Sequence, residues 1–272
     1  AWHAIEDTGR APASLAGSRT GVFVGISQSE YLRDRFLRSE ELTPNTPSGN
    51  ALSIAANRIS YTFDLRGPSL AVDTACSSSL MAVHLACQSL RRGETDFALA
   101  GGVNVLMRPD VSVAFAQAGL MAADGRCKAF DDSADGYVRG EGVGLIALKR
   151  LADALADGDE IYAQILGIAT IQDGHSNGLM APRGSAQEAA IEAACADAGV
   201  SPADIGYFEA HGTGTALGDV IEATALGRVL ARADGPAAAH WLGSIKTNIG
   251  HLESAAGIAG LIKAALCLHN RA

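Results

Sequence analysis

The chain has 272 residues, of which 48% are hydrophobic, but it contains no apolar run long enough to cross a bilayer. A net charge of -9 argues against nucleic acid as a partner, because phosphate binding needs clustered basic residues. The five cysteines form no C-x-x-C pair and no secretory signal precedes them, so we expect a reducing cytoplasm, no membrane association and no zinc site.

The first half of the chain predicts short buried strands alternating with helices. Apolar segments bounded by turn formers predict strands over residues 20–25, 69–72 and 96–105, and helical spacing predicts helices over 51–59 and 80–90. Two prolines predict a loop over 43–49. The polar, glycine-interrupted stretch 119–139 is long enough to be a candidate functional loop.

The pattern restarts in the second half. We predict strands over 161–171, 205–210 and 241–245, helices over 185–198 and 220–230, and an apolar helix after His251. This alternation predicts an α/β protein whose sheets are covered by helices. The two halves, 1–155 and 156–272, look like one fold used twice.

Two glycine-rich stretches do not predict a nucleotide site. Residues 142–147 match a dinucleotide fingerprint in spacing, but the glycines precede a predicted strand rather than follow one. Residues 211–215 lack the Gly-Lys-Ser/Thr ending of a phosphate loop.

Cys76 lies where a predicted strand meets a predicted helix. The unpaired N–H groups and the positive dipole end of a helix N-terminus favour the thiolate, which is the nucleophilic form of cysteine. The alternative is that Cys76 is an inert buried thiol, as many free cysteines are.

His211 and His251 follow predicted strands of the second half in glycine-flanked turns, where a ligand could approach closely. Reactive groups of α/β sheets collect at the carboxyl ends of strands, so these histidines and Cys76 could converge on one pocket suited to acyl transfer. A structural or surface role is the alternative for any histidine, and we retain it for His3, His84, His175, His240 and His269.

Three segments are similar to the signature motifs of one enzyme family. Residues 73–80 (DTACSSSL), 209–215 (EAHGTGT) and 246–253 (KTNIGHLE) resemble, in the same order, those of the β-ketoacyl synthase domain of modular type I polyketide synthases. The resemblance covers the whole chain. It implies a thiolase-like fold, five layers of α-β-α-β-α built from two similar halves, and an acyltransferase that performs decarboxylative Claisen condensation.

The resemblance also implies roles for individual residues. Cys76 would accept the acyl chain and form half of the oxyanion hole with its backbone N–H. His211 and His251 would assist decarboxylation of a malonyl-type extender and stabilise the enolate. Lys246 matches the family's active-site lysine.

Four further positions would support the site. The family pattern suggests that Asp219 and Glu222, which are three residues apart and can share a helix face, hold the lysine. Thr213 and Thr215 match positions that bind pantetheine, although ordinary turn threonines are an equally good interpretation.

The expected partners follow from the same resemblance. They are acyl carrier protein domains, a neighbouring acyltransferase domain and a second copy of the chain. No cofactor is expected to bind intrinsically, because substrates would arrive on the 4'-phosphopantetheine of the carrier. The fold would be truncated at both ends, since the family has further strands before residue 1 and after residue 272, and this stretch alone could be inactive.

Three other functions share part of this pattern. A fatty acid synthase ketosynthase shares every motif, and the three serines after Cys76 favour the polyketide type. A non-elongating domain commonly lacks the active cysteine or the second-motif histidine, and both are present here. A thiolase would need a second reactive cysteine late in the chain, and Cys267 is placed within a predicted helix.

Overall fold

The computed structural model describes residues 1–37, 42–178, 180–233 and 239–271. The α-helices of this part of the chain are α1 (Trp2–Asp7), α2 (Glu30–Leu37), α3 (Thr46–Asn50), α4 (Leu52–Phe63), α5 (Ser78–Arg91), α6 (Asp110–Gln117), α7 (Leu151–Asp157), α8 (Gly184–Ala198), α9 (Gly218–Arg232), α10 (Lys246–Ile249) and α11 (Ala256–Asn270). The strands are β1 (Thr20–Gly25), β2 (Ser69–Val72), β3 (Phe97–Asn104), β4 (Gly142–Leu148), β5 (Tyr207–Glu209) and β6 (Trp241–Gly243). No helix in these ranges combines the length and hydrophobicity needed to cross a membrane.

The described residues form two compact units, each assembled from separate stretches of the chain. The first contains residues 1–110, 140–162 and 252–272. The second contains residues 111–139 and 163–251.

The first unit contains a sheet in the order β2-β1-β3-β4, in which β1 pairs in parallel with β2 and β3, and β4 is antiparallel to β3. One face packs against α1 and α4 through a buried apolar cluster that includes Ile5, Val22, Ala56 and Leu99. Helices α5 and α11 lie on the opposite face. The sheet is therefore covered on both sides, as its near-continuous apolar strands require.

Two glycines allow α5 to approach the sheet closely. A Cβ on Gly25 would lie 2.5 Å from the backbone nitrogen of Ser79, and one on Gly102 would lie 2.8 Å from the Ser79 Cβ. Gly25 ends β1 and pairs with Gly102, two residues before the end of β3, so the first turn of α5 rests directly on the carboxyl-terminal parts of the two strands.

The second unit contains the parallel pair β5–β6, with the helices α8 and α9 packed together. The register pairs Tyr207 with Trp241 and Glu209 with Gly243. A further ladder bond, from the Ala210 N–H to the Gly243 carbonyl at 2.8 Å, extends the pairing to the point where the chain turns into the site.

Most predicted elements are present with boundaries shifted by a few residues, but two predictions were wrong and one helix was missed. Residues 161–171 form no strand in the described structure, because their backbone pairs with no other strand and the Ile168 N–H donates instead to the Asp197 carboxylate at 2.8 Å. The predicted loop over 43–49 contains the start of α3, whose first turn accommodates Pro47 because no N–H is needed there. Helix α6 was not predicted at all.

Candidate active site

The nucleophile candidate lies in the first unit. Cys76 is exposed and belongs to a single 3-10 turn (Ala75–Ser77) that leads from β2 directly into α5. Residue Ala75 adopts a φ of 53°, a left-handed conformation unusual for a residue with a side chain. The sharp turn therefore presents the thiol at the start of the helix, as the sequence predicted.

Side chains around the turn hold this backbone in place. The Asp73 carboxylate accepts the Ala75 N–H at 3.0 Å, and the Ser78 hydroxyl accepts the Thr74 N–H at 2.9 Å while donating to the Ala75 carbonyl at 2.6 Å. Ser78 and Ser79 are fully buried, and the Ser79 hydroxyl accepts the Ile258 N–H of α11 at 3.0 Å. Two of the serines after Cys76 are thus structural supports.

The second unit brings His211, His251 and Lys246 together. His211 follows the end of β5, and Lys246 begins α10 just after β6, so the two residues leave neighbouring parallel strands at the same edge. The imidazole rings of His211 and His251 are 5.3 Å apart between centroids and nearly perpendicular, at 86°. Lys246 and His251 are 5% and 2% exposed, so the ammonium and one imidazole are shielded from water.

The electrostatics keep both histidines neutral. Burial, His211 and Lys246 lower the pKa of His251 to about 2. His211 retains some solvent exposure, but the protein atoms around it and the Lys246 charge lower its pKa to about 4. At neutral pH each ring therefore has one N–H donor and one acceptor nitrogen.

Glu222 and Asp219 lie on one face of α9, as their spacing predicted, and they anchor the loop that contains His211. The Glu222 carboxylate accepts the backbone N–H groups of His211 at 2.6 Å and Gly212 at 2.8 Å. Burial raises the pKa of Glu222, opposed by those two hydrogen bonds and by the Lys246 charge. This carboxylate is thus electrostatically coupled to Lys246, and its hydrogen bonds position the histidine backbone.

Asp219, one turn earlier on α9, also accepts hydrogen bonds from backbone N–H groups. It is 4% exposed, and its carboxylate accepts the N–H groups of Phe130 at 2.7 Å and Gly214 at 3.1 Å. The two threonine hydroxyls of this loop, on Thr213 and Thr215, are 3.1 Å apart, with Thr213 buried.

The loop conformation needs glycine at one position in particular. Gly212 has a φ of 38°, and a Cβ there would lie 2.7 Å from the Cβ of Ser244. The Ser244 hydroxyl donates to the Gly212 carbonyl at 3.0 Å, which ties the His211 loop to the segment preceding Lys246.

The stretch 119–139, predicted to be functional from its length alone, supplies residues that the motifs did not identify. The His251 N–H donates to the Val138 carbonyl at 2.8 Å, and the Val138 N–H donates to the buried Cys127 sulfur at 3.3 Å. The Tyr137 ring packs edge-to-face against the His251 imidazole at 5.4 Å. These residues are far from His251 in the sequence, so their contacts with it are seen only in the folded structure.

The described residues contain no cluster of three or more histidine, cysteine or acidic side chains arranged to hold a metal ion. The first unit has a cleft of about 300 Å³ whose walls include Ile26, Ile54, Ala55 and Asn104. Its edge is close to the Cys76 turn, because the Ile26 N–H donates to the Val72 carbonyl at 3.0 Å and the Ser27 and Ser78 hydroxyls are 3.2 Å apart.

Curated relatives are components of polyketide synthases. The chain is 53% identical over 270 residues to a phenolphthiocerol/phthiocerol polyketide synthase polypeptide of Mycobacterium bovis, covering 99% of this chain and 14% of that protein. It is 49% identical over 272 residues to another polypeptide of the phenolphthiocerol/phthiocerol polyketide synthase, from Mycobacterium tuberculosis, covering 99% of this chain and 12% of that protein. The chain therefore spans about one seventh of the length of these relatives.

Solved structures of similar chains are ketosynthase domains. The ketosynthase from module 6 of the bacillaene synthase of Bacillus subtilis superposes with a TM-score of 0.90 at 42% identity, covering 98% of this chain and 45% of that one. An oxazolomycin ketosynthase domain from Streptomyces albus gives a TM-score of 0.92 at 44% identity, covering 98% and 46%.

These likenesses confirm the predicted thiolase-like fold. Residues 1–154 match the family described as "Beta-ketoacyl synthase, N-terminal domain", and residues 162–272 match its C-terminal domain. Since the two matches together cover nearly the whole sequence, the chain belongs to the β-ketoacyl synthase family.

Proposed function

We propose that this chain contains the reacting groups of a polyketide ketosynthase, an enzyme of the 3-oxoacyl-[acyl-carrier-protein] synthase type that joins an acyl chain to a malonyl-type extender. The observation that supports this best is the pair of neutral, nearly perpendicular imidazoles of His211 and His251, of which His251 is buried, with the Lys246 charge lowering the pKa of both. Together with an exposed cysteine at the start of a helix, it matches the requirements of a decarboxylating acyl transfer.

In the first step, the Cys76 thiolate attacks the carbonyl carbon of an acyl thioester on the phosphopantetheine arm of a carrier protein. The bond between the acyl carbon and the pantetheine sulfur breaks, and the pantetheine leaves as a thiolate that takes a proton from solvent. The backbone N–H of Cys76 stabilises the oxyanion. The acyl chain is then bound to Cys76, and the apolar walls of the cleft beside Ile26 suit its hydrocarbon part.

In the second step, a malonyl-type thioester on the carrier loses carbon dioxide. The electron pair of the broken C–C bond becomes an enolate, whose oxygen accepts hydrogen bonds from the neutral imidazole N–H groups of His211 and His251. The enolate carbon attacks the acyl-Cys76 carbonyl, a C–C bond forms and the Cys76 thiolate is released. Burial, with the Lys246 charge as a further cause, lowers the pKa of both histidines, so each imidazole is neutral and donates from one nitrogen.

The partners belong to the same proposal. Carrier and acyltransferase domains supply the two thioesters, Thr213 and Thr215 contact the pantetheine arm, and a second copy of the chain completes a homodimer. We further propose that residues 1–155 and 156–272 are the two similar halves of the domain, and that the complete polypeptide is needed for turnover.

The variant Cys76→Gln tests the decarboxylation step apart from condensation. Glutamine resembles an acylated cysteine in size but cannot accept an acyl group, so attack is removed while the histidines remain. In the complete polypeptide, this variant should release carbon dioxide from labelled malonyl-carrier protein and accumulate acetyl-carrier protein without condensation product.

A double variant shows whether the histidines act on the extender. Adding His251→Ala to Cys76→Gln should reduce carbon dioxide release by about 100-fold, as expected for losing a positioned enolate donor. In the presence of Cys76, His251→Ala alone should leave acylation of the cysteine largely intact. A folded Cys76→Gln protein that releases no carbon dioxide would contradict the proposal.

A further inference from the structure

Three side chains outside the sequence motifs, Tyr137, Phe115 and Arg139, form a row of contacts that begins at the His251 imidazole. We call this row the bracket. The Tyr137 ring meets the imidazole edge-to-face at 5.4 Å and 60°. The Phe115 ring meets Tyr137 in the same manner at 6.1 Å and 62°. The Arg139 guanidinium lies 5.8 Å from the centre of the Phe115 ring, so the stack is closed by a cation–π contact.

Both ends of the bracket are held firmly. Arg139 is 7% exposed and donates to the Ser112 hydroxyl of α6 at 3.0 Å. The backbone of Arg139 also forms a parallel bridge with His251. Both ends of the bracket therefore contact His251: Tyr137 contacts its ring, and Arg139 contacts its backbone.

The backbone between residues 136 and 139 is fixed at every position. The Gly136 N–H donates to the Gly214 carbonyl at 2.9 Å, and the Tyr137 N–H donates to the Leu120 carbonyl at 2.9 Å. The Tyr137 carbonyl accepts the Ala122 N–H at 3.0 Å. Tyr137 thus has little freedom to move away from the imidazole.

His251 is confined in two directions as a result. The His211 ring meets it at 86° and the Tyr137 ring at 60°, so rotation of the imidazole about its own side-chain bonds would collide with one of them. We propose that Tyr137 is a positioning residue, whose ring sets the orientation of the His251 imidazole and excludes water from it. This inference rests on the proposed function, since orientation matters only if His251 acts on a substrate.

Several titratable groups surround the same imidazole. His211 and Lys246 both lower the pKa of His251. The other titratable groups near it are Cys127, Tyr137 and Arg139. The carboxylates of Glu222 and Asp219, on α9, belong to the same group of charges around Lys246. Burial is the largest cause of the lowered pKa, and the Tyr137 ring, packed on the imidazole at 5.4 Å, covers one side of it. Removing the ring should therefore raise the pKa of His251 towards its ordinary value of 6.5.

The test compares Tyr137→Leu with Tyr137→Phe in the Cys76→Gln background of the complete polypeptide. Leucine fills much of the volume but has no ring, whereas phenylalanine retains the ring and lacks only the hydroxyl. For Tyr137→Leu, kcat for decarboxylation of malonyl-carrier protein should fall about 10-fold or more, with KM changed less than about 2-fold, because a misoriented group affects the chemical step. Tyr137→Phe should keep the decarboxylation rate of the Cys76→Gln parent, because it retains the ring.

The pH profile provides the second readout. Without the substitution at Tyr137, decarboxylation should show no histidine inflection between pH 5 and 8, because the pKa of His251 is about 2 and that of His211 about 4. Tyr137→Leu should shift the acidic limb of the profile to higher pH than in the Cys76→Gln parent, because protonation replaces the acceptor nitrogen of His251 with a second N–H donor and so changes the hydrogen bonds that orient the ring. A merely structural role for Tyr137 would lower the amount of folded protein without moving an inflection.

A matched control is Tyr162→Leu, which removes another tyrosine ring packed on a histidine, His269, at 4.8 Å in the first unit. It should change neither kcat nor the pH profile. If Tyr137→Leu does not fold, Phe115→Leu removes the next ring of the bracket and should show the same changes at smaller amplitude. The inference is overturned if Tyr137→Leu or Phe115→Leu behaves like Tyr162→Leu, or if Tyr137→Phe is as impaired as Tyr137→Leu. If the Cys76→Gln parent releases no carbon dioxide, the proposed function fails instead.

Discussion

The five cysteines of this chain differ in solvent exposure. Cys76 is exposed in a turn with a left-handed residue before it, whereas Cys127 and Cys195 are buried, and burial raises the pKa of both thiols. Cys127 also contacts the Val138 backbone through its sulfur. A reagent that attacks thiolates should therefore distinguish among them.

We expect brief treatment with iodoacetamide at neutral pH to label Cys76 first. Peptide mapping by mass spectrometry measures the labelled fraction at each cysteine, and Cys195 serves as the buried reference. Preloading the protein with an acyl thioester should protect Cys76 and leave the slow labelling of the others unchanged. Labelling of Cys127 before Cys76 would contradict the assignment of the nucleophile.

At the level of secondary structure, the position of Cys76 depends on how closely α5 approaches β1. Gly25 ends β1, and a Cβ there would lie 2.5 Å from the Ser79 nitrogen and 2.6 Å from the Ser78 carbonyl carbon. Both neighbours are backbone atoms of the first turn of α5, so they cannot move without displacing the turn that contains Cys76. A methyl group at residue 25 would thus displace the first turn of α5 and, with it, the candidate nucleophile Cys76.

We predict that Gly25→Ala slows acylation of Cys76 and destabilises the fold by about 1–3 kcal/mol, the usual effect of overpacking a dense contact. Acylation can be followed by intact mass spectrometry and stability by thermal unfolding. The matched control is Gly227→Ala in α9, where a Cβ meets nothing within 4 Å and alanine favours the helix. Equal acylation rates in the two variants would show that the close approach does not position the cysteine.

For the whole molecule, the sheet of the first unit offers a surface on which the proposed second copy would bind. Strand β2 is an edge strand of that sheet among the described residues, and Leu70 on it is 43% exposed. Tyr61, on the adjacent helix α4, is 86% exposed. An edge strand with exposed apolar side chains is a template for pairing with another chain.

We expect the complete polypeptide to sediment as a dimer and Leu70→Lys to shift it towards monomer, because a charged side chain on an edge strand opposes pairing. Analytical ultracentrifugation over a concentration series measures the dissociation constant. Val143→Lys is the control, since Val143 is 70% exposed on β4 at the opposite edge of the same sheet. An unchanged dimer in Leu70→Lys, or an equal effect of both variants, would contradict pairing through β2.

The sequence by itself determined the local elements and the candidates for the reacting groups. The apolar runs of β1, β2 and β3 and the helical spacing of α5 are local patterns, and they predicted both the elements and the junction that contains Cys76. The motifs around Cys76, His211 and His251 identified the family, because they specify chemistry as well as fold. Residues 161–171 had an equally apolar pattern, yet a strand also needs a partner, which local pattern cannot supply.

Only the tertiary structure decided what surrounds those groups. The bracket of Phe115, Tyr137 and Arg139 reaches His251 because the irregular stretch 119–139 returns to residue 251, which lies more than 100 positions later in the chain. The lowered pKa values of His211 and His251 depend on burial and on the proximity of Lys246, both of which exist only once the chain is folded. Short-range sequence patterns contain no information on such distant contacts.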